Sequence, residues 1–126
     1  MLKILLVGVG GFAGSVLRYL TYSLSNRLFS EQFFPYGTLA VNVAGCFLIG
    51  FLGAFFEART FALSPEARVL IITGFLGGFT TYSTFGYEIL TLARTGHMAA
   101  AFFNVLLHLI FGLGAVWLGF ISCRMV

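Results

Sequence analysis

Four long apolar stretches, separated by short groups of charged and turn-forming residues, organise this chain. They run over residues 2–24, 36–56, 69–92 and 98–122. Each has the roughly 20 residues a helix needs to cross the hydrocarbon core of a bilayer. The separators hold Arg27, Glu31 and Pro35, then Glu57, Arg59, Pro65, Glu66 and Arg68, then Arg94, Gly96 and His97. Strand-like alternation is absent, and only helices or closed barrels satisfy their backbone groups in lipid. The pattern therefore predicts an all-α integral membrane protein with four transmembrane helices, forming a single domain over residues 1–126.

Composition agrees and narrows the class. The chain is 60% hydrophobic and only 9% charged, with a mean hydropathy of +1.02. Soluble domains carry about 25% charged residues, so there is too little charge here for a water-facing surface. The net charge of +3 comes from seven scattered Lys and Arg, with no basic cluster of the kind that binds nucleic acid. Cys46 and Cys123 lie in or at the end of apolar stretches without metal-ligand spacing and read as packing residues. The start of the chain has the look of a short signal peptide, with Lys3 ahead of an apolar run and Ala13-Gly14-Ser15 behind it. The apolar run continues past Arg18 to Leu24, so a retained first helix is expected.

Orientation is weakly specified. With the N-terminus inside, Lys3, Arg59, Arg68 and Arg124 fall on that side, against Arg27 and Arg94, with Arg18 closer to the latter. Topology follows Lys/Arg asymmetry in short loops, and this asymmetry is slight. Such a chain can insert both ways, and two copies can then meet antiparallel. Glycine recurs in every span, with Gly10 and Gly14 in GxxxG spacing. Small residues let helix backbones approach closely in lipid, and so many of them suggest that at least two chains pack together.

Polar groups at membrane depth are costly and mark interiors or water-filled paths. Thr38 and Asn42 share one face of the second span. The third span carries residues 74–86, where adjacent glycines precede five hydroxyl residues in a row from Thr80 to Thr84. Glycine and hydroxyl residues weaken a helix, so this span is expected to be broken. Broken helices in membranes line cavities and bind ions. Tyr82 and Phe85 stand three apart among the hydroxyls; ring edges carry partial positive charge and would favour a small anion without a full countercharge. Glu88 is the acidic residue inside a span, and Asn104 and His108, four apart in the fourth span, could continue a polar line beside it. Arg18 could snorkel or draw an anion to the mouth.

These residues resemble the Fluc (CrcB) family of fluoride channels. The resemblance rests on Gly-Thr-Leu-Ala-Val-Asn at 37–42, on Gly-Phe-Leu-Gly-Gly-Phe-Thr-Thr-Tyr-Ser-Thr-Phe at 74–85 and on Gly-x-x-x-Arg at 14–18. It covers the whole chain. It implies a dual-topology antiparallel homodimer in the bacterial inner membrane that exports cytoplasmic fluoride passively through two pores and gives fluoride resistance. It further implies a structural sodium ion at the dimer centre, held by the backbone carbonyls of Gly77 and Thr80. The family's pore asparagine falls on Asn42, its aromatics on Tyr82 and Phe85, and its polar track on Ser83, Thr84, Glu88 and His108. Its arginine falls on Arg18 and its second-span threonine on Thr38.

Departures exist. The family usually has Phe at the position of Tyr82 and commonly Ser at that of Gly86, and some relatives have Ser at that of Gly112. The principal alternative is a small dual-topology proton-coupled transporter, which wants a carboxylate deep in the first span; this span has neither Asp nor Glu. An enzyme would need a nucleophile–base pair or a metal cluster in the spans, and His108 has no partner at workable spacing. A purely structural membrane protein leaves the hydroxyl-rich break unexplained.

Overall fold

The computed structural model describes residues 1–29, 33–58 and 64–125. The loop charges Glu31 and Arg59 lie outside the described residues. Helix α1 spans Leu2–Leu28 and α2 spans Tyr36–Ala58. The third crossing begins with α3 (Pro65–Arg68), continues as a π-helical stretch (Val69–Leu76) and a short α4 (Gly77–Phe79), and resumes as α5 (Tyr82–Arg94). The last helix, α6, covers Met98–Arg124. All four crossings are long and apolar enough to span a membrane, and no strand is found among the described residues. The helices outrun the apolar stretches by a few residues at several ends, where Arg27, Arg94 and Arg124 stand in the last turns.

Local chemistry sets these boundaries. Ser64 caps α3 by accepting the amide of Ala67 at 3.2 Å, with Pro65 in the first turn, where its missing N–H costs nothing. At the end of α5 the chain turns through Gly96, at φ +85°. The His97 amide donates to Leu92 O at 2.9 Å and that of Gly96 to Ala93 O at 3.3 Å. This is the glycine-dependent helix stop that satisfies the last free carbonyls.

The expected interruption over 74–86 is much narrower in the structure. Only Thr80 (φ −89°, ψ 160°) and Thr81 (φ −154°, ψ 118°) leave helical geometry. Gly77 and Gly78 are helical, and Gly86 sits inside α5. The hydroxyls account for this. Thr80 donates to Leu76 O at 2.9 Å, finishing the first half, while Thr81 Oγ1 accepts the Thr84 amide at 3.2 Å and starts the second. The run that reads as poor helix is a helix end joined to a capped helix start.

The glycines serve packing within the chain. Helix α1 lies against the first half of the third crossing so closely that a Cβ on Gly14 would stand 2.8 Å from Phe79 N. On the facing side, a Cβ on Gly74 would stand 3.0 Å from Val7 O. Helices α2 and α6 meet in the same way, where a Cβ on Gly119 would stand 2.8 Å from Phe51 N. Much of the glycine that suggested a second chain is therefore taken up inside one chain. The outward surface is apolar, with Leu5, Phe12, Leu113 and Trp117 exposed as a lipid-facing side requires. At the end that holds the N-terminus, Arg68 lies 4.7 Å over the Phe56 ring and Arg124 4.2 Å over the Phe120 ring, contacts that hold the cations at the rim.

Candidate functional site

Asn42 builds the site. From the second turn of α2 its side chain reaches the break and bonds both backbone groups of Thr81: Nδ2 donates to Thr81 O at 3.1 Å, and Oδ1 accepts the Thr81 amide at 2.9 Å. The amide side chain thus stands in for the backbone partner that the broken helix lacks. It also has two N–H donors, and only one is used on Thr81.

This bracket frees specific carbonyls. In a continuous helix the Thr81 amide would bond Gly77 O, and the Thr84 amide would bond Thr80 O. The first goes to Asn42 and the second to the Thr81 hydroxyl. The carbonyls of Gly77 and Thr80, the pair expected to hold sodium, are thus among those that the break leaves without a helical partner, together with those of Gly78 and Phe79. The donor set fits that ion, since a hard cation prefers oxygen ligands and freed carbonyls at a membrane helix break can supply them.

Beside the break is a cavity of about 500 Å³. Asn42, Gly77, Thr80, Thr81, Tyr82, Phe85 and His108 are among the residues that line it, and no Lys, Arg, Asp or Glu is. Tyr82 is 84% exposed. Its ring centroid lies 5.6 Å from that of Phe85 at an interplanar angle of 47°, and Phe85 lies 4.3 Å from the His108 ring. His108 Nδ1 lies 2.9 Å from Asn104 O, while its Nε2 is buried with no hydrogen-bond partner.

A second polar group lies further along α5. Thr38 donates to Glu88 Oε1, and Glu88 Oε2 is buried without a partner. Asn104 is completely buried, and neither its Oδ1 nor its Nδ2 is bonded. Both Glu88 and Asn104 lie about six residues from the tight α5–α6 turn, so antiparallel helices bring them to one level.

The predicted residues therefore divide. Asn42, Tyr82, Phe85 and His108 share the cavity with Gly77 and Thr80. Thr38 and Glu88 form the neighbouring pair. Ser83 and Thr84 do not line the cavity; their hydroxyls lie 3.2 and 3.0 Å from Thr81 Oγ1 and belong to the cap. Arg18 is partly exposed on α1 and lines neither group. Sequence reasoning missed Thr81, whose place ahead of a helix was a readable N-cap signal. It noted Asn104 without ranking it as a site residue. It passed over Tyr22, whose hydroxyl lies 3.3 Å from Thr38 Oγ1 and which nothing in the spacing marks.

Fold and site together define a small multi-pass membrane protein with a helix broken at membrane depth beside a largely apolar cavity that holds a few polar groups and no Lys, Arg, Asp or Glu. The chain belongs to the CrcB family: residues 5–120 match the family model described as CrcB-like protein, Camphor Resistance (CrcB). Among its relatives are proteins named fluoride-specific ion channel FluC. That of Elusimicrobium minutum is 43% identical over 121 residues, covering 96% of this chain and 93% of the relative. That of Campylobacter jejuni is 46% identical, covering 94% of each chain. That of Rhizobium etli is 44% identical, covering 98% of each. The family is one of channels and not of enzymes, and a multi-pass place in a bacterial inner membrane fits these bacterial relatives.

Proposed function

We propose that this chain is a fluoride-selective channel that lets cytoplasmic fluoride leave the cell passively and so confers fluoride resistance. The observation that carries the reading is the Thr80–Thr81 break, held by Asn42 beside a cavity that offers donors and ring edges but no ionised side chain. The names of the relatives supply the ion's identity. Fluoride is small and strongly hydrated, so a selective path must replace its water with closely spaced donors. The spare N–H of Asn42 and the rings of Tyr82 and Phe85 offer such contacts, and the Tyr82 hydroxyl adds one more. Several weak sites without a fixed cation let an ion both enter and leave.

The working unit in this reading is an antiparallel, dual-topology homodimer with two pores. The exposure of Tyr82 and Gly77 at the break supports it, because a second copy would cover them. The carbonyls of Gly77 and Thr80 would hold a structural sodium at the dimer centre, where the ion would neutralise freed backbone dipoles and tie the two breaks together. Lipid would cover the remaining apolar surface.

Purified protein in liposomes tests the reading. Fluoride efflux with little chloride efflux, lost in Asn42→Asp and Phe85→Ile, is the expected result. Equal chloride and fluoride flux, or no flux from well-folded protein, would overturn it. For the dimer, labelling of the termini should find both on each side of the membrane; termini on one side only in every copy would defeat the antiparallel arrangement.

A further inference from the structure

The hydrogen bond from Thr38 to Glu88 continues one residue further, onto a helix that the channel reading otherwise leaves to packing. Tyr22 on α1 places its hydroxyl oxygen 3.3 Å from Thr38 Oγ1. It reaches there because residue 37 is glycine: a Cβ on Gly37 would stand 2.9 Å from Tyr22 Cδ1. The missing side chain lets the ring lie against the start of α2.

Thr38 is 2% exposed, and its hydroxyl has one hydrogen to give. It has two neighbours, Tyr22 and Glu88. A carboxylate only accepts, so with Glu88 ionised the Thr38 hydrogen goes to Oε1. The Tyr22 phenol then donates to Thr38 Oγ1. In the order Tyr22 to Thr38 to Glu88 each hydroxyl hydrogen has an acceptor, and linked hydrogen bonds of this kind strengthen one another. Without the phenol, Thr38 Oγ1 keeps an unfilled acceptor at a site closed to solvent, and its hydroxyl is oriented by Glu88 alone.

We infer that Tyr22 is a positioning residue for Glu88. It aims the Thr38 hydroxyl at Oε1, so that Oε2, buried with no partner, is the oxygen left open to an incoming donor. The effect on flux rests on the fluoride-channel reading; the effect on the carboxylate does not.

Tyr22→Phe keeps the ring against Gly37 and removes only the hydroxyl. Fluoride efflux should slow by about threefold to tenfold, the range expected for one lost hydrogen bond. Isotope-edited infrared spectra of glutamate-labelled protein, with the Glu88 band identified by its loss in Glu88→Gln, provide a readout independent of transport. That band should shift in Tyr22→Phe, and the further shift should vanish when Thr38→Val has already removed the connecting hydroxyl. An unshifted band, or the same shift with and without Thr38, would overturn the inference. So would a Tyr22→Phe protein that no longer folds, because the hydroxyl would then support the bundle and not the carboxylate. If the natural protein moves no fluoride, the channel reading fails and the infrared result alone decides Tyr22.

Discussion

The two sides of the helix bundle solve opposite problems. Where α1 crosses residues 65–79, glycine meets glycine and backbone meets backbone: a Cβ on Gly78 would stand 3.0 Å from Gly11 Cα. That contact is complete within one chain. On the other side, α2, α5 and α6 enclose polar atoms that one chain leaves unfinished, among them Glu88 Oε2, His108 Nε2 and both polar atoms of Asn104. Buried polar groups in native proteins are ordinarily bonded, so a concentration of unbonded ones marks where water, an ion or a second copy belongs. The dry side holds the fold, and the unfinished side is where transport can occur.

The largest effect should come from filling the dry side. Gly14→Val would put a branched side chain where even a Cβ comes within 2.8 Å of Phe79 N. Backbone cannot swing aside as a side chain can, so the helices must separate. A cost above about 3 kcal/mol is expected, the upper range for overpacked cores, seen as loss of monodisperse protein in detergent. Ala13→Val, on the exposed side of the same turn, should leave folding unchanged. Equal loss in both would mean that the glycine crossing is not what holds α1.

Asn42 belongs to both sides, and its substitutions should fall between the extremes. Asn42→Ala strips the partners from both backbone groups of Thr81, which is 8% exposed. Each unsatisfied buried group costs about 1–3 kcal/mol, so about 2–6 kcal/mol should be lost in chemical unfolding, together with flux. Asn42→Asp keeps an acceptor for the Thr81 amide and loses the donor to Thr81 O, so it should keep more of the stability while flux still disappears. If the two variants were equally stable, the bracket would not be the main support of the break.

How far these features were legible in the sequence follows the range of the physics behind them. The four crossings come from local hydrophobicity and needed no tertiary knowledge, and the structure has them. The break was legible in kind, because Thr80 to Thr84 advertise local hydrogen bonding, but its extent was not. Whether a hydroxyl breaks a helix or caps one depends on which carbonyl or amide it reaches, as with Thr80 on Leu76 and Thr81 on Thr84. Asn42 was legible as the amide of its span; that it bonds Thr81, 39 residues away, was not. The π-helical stretch Val69–Leu76 had no visible mark in an ordinary apolar run. Tyr22 was hidden for the same reason as Asn42's partner, since its role depends on a contact 16 residues distant with Thr38.

The smallest effect on stability, and the sharpest test of the contrast, should come from Asn104→Leu. Asn104 is 0% exposed with neither polar atom bonded, so the single chain carries the full desolvation cost of the amide. Leucine is of similar size and removes that cost. Unfolding should show no loss of stability and a gain of up to about 1–3 kcal/mol, the usual penalty for an unsatisfied buried group. Fluoride efflux should nevertheless fall, because the unfinished side loses polar atoms available to water or the ion. A stability loss of more than about 1 kcal/mol, the worth of one satisfied hydrogen bond, would instead place a partner for the amide on the second copy. Asn104 would then be glue between chains, and the boundary between the dry and unfinished sides would have to be redrawn along α6.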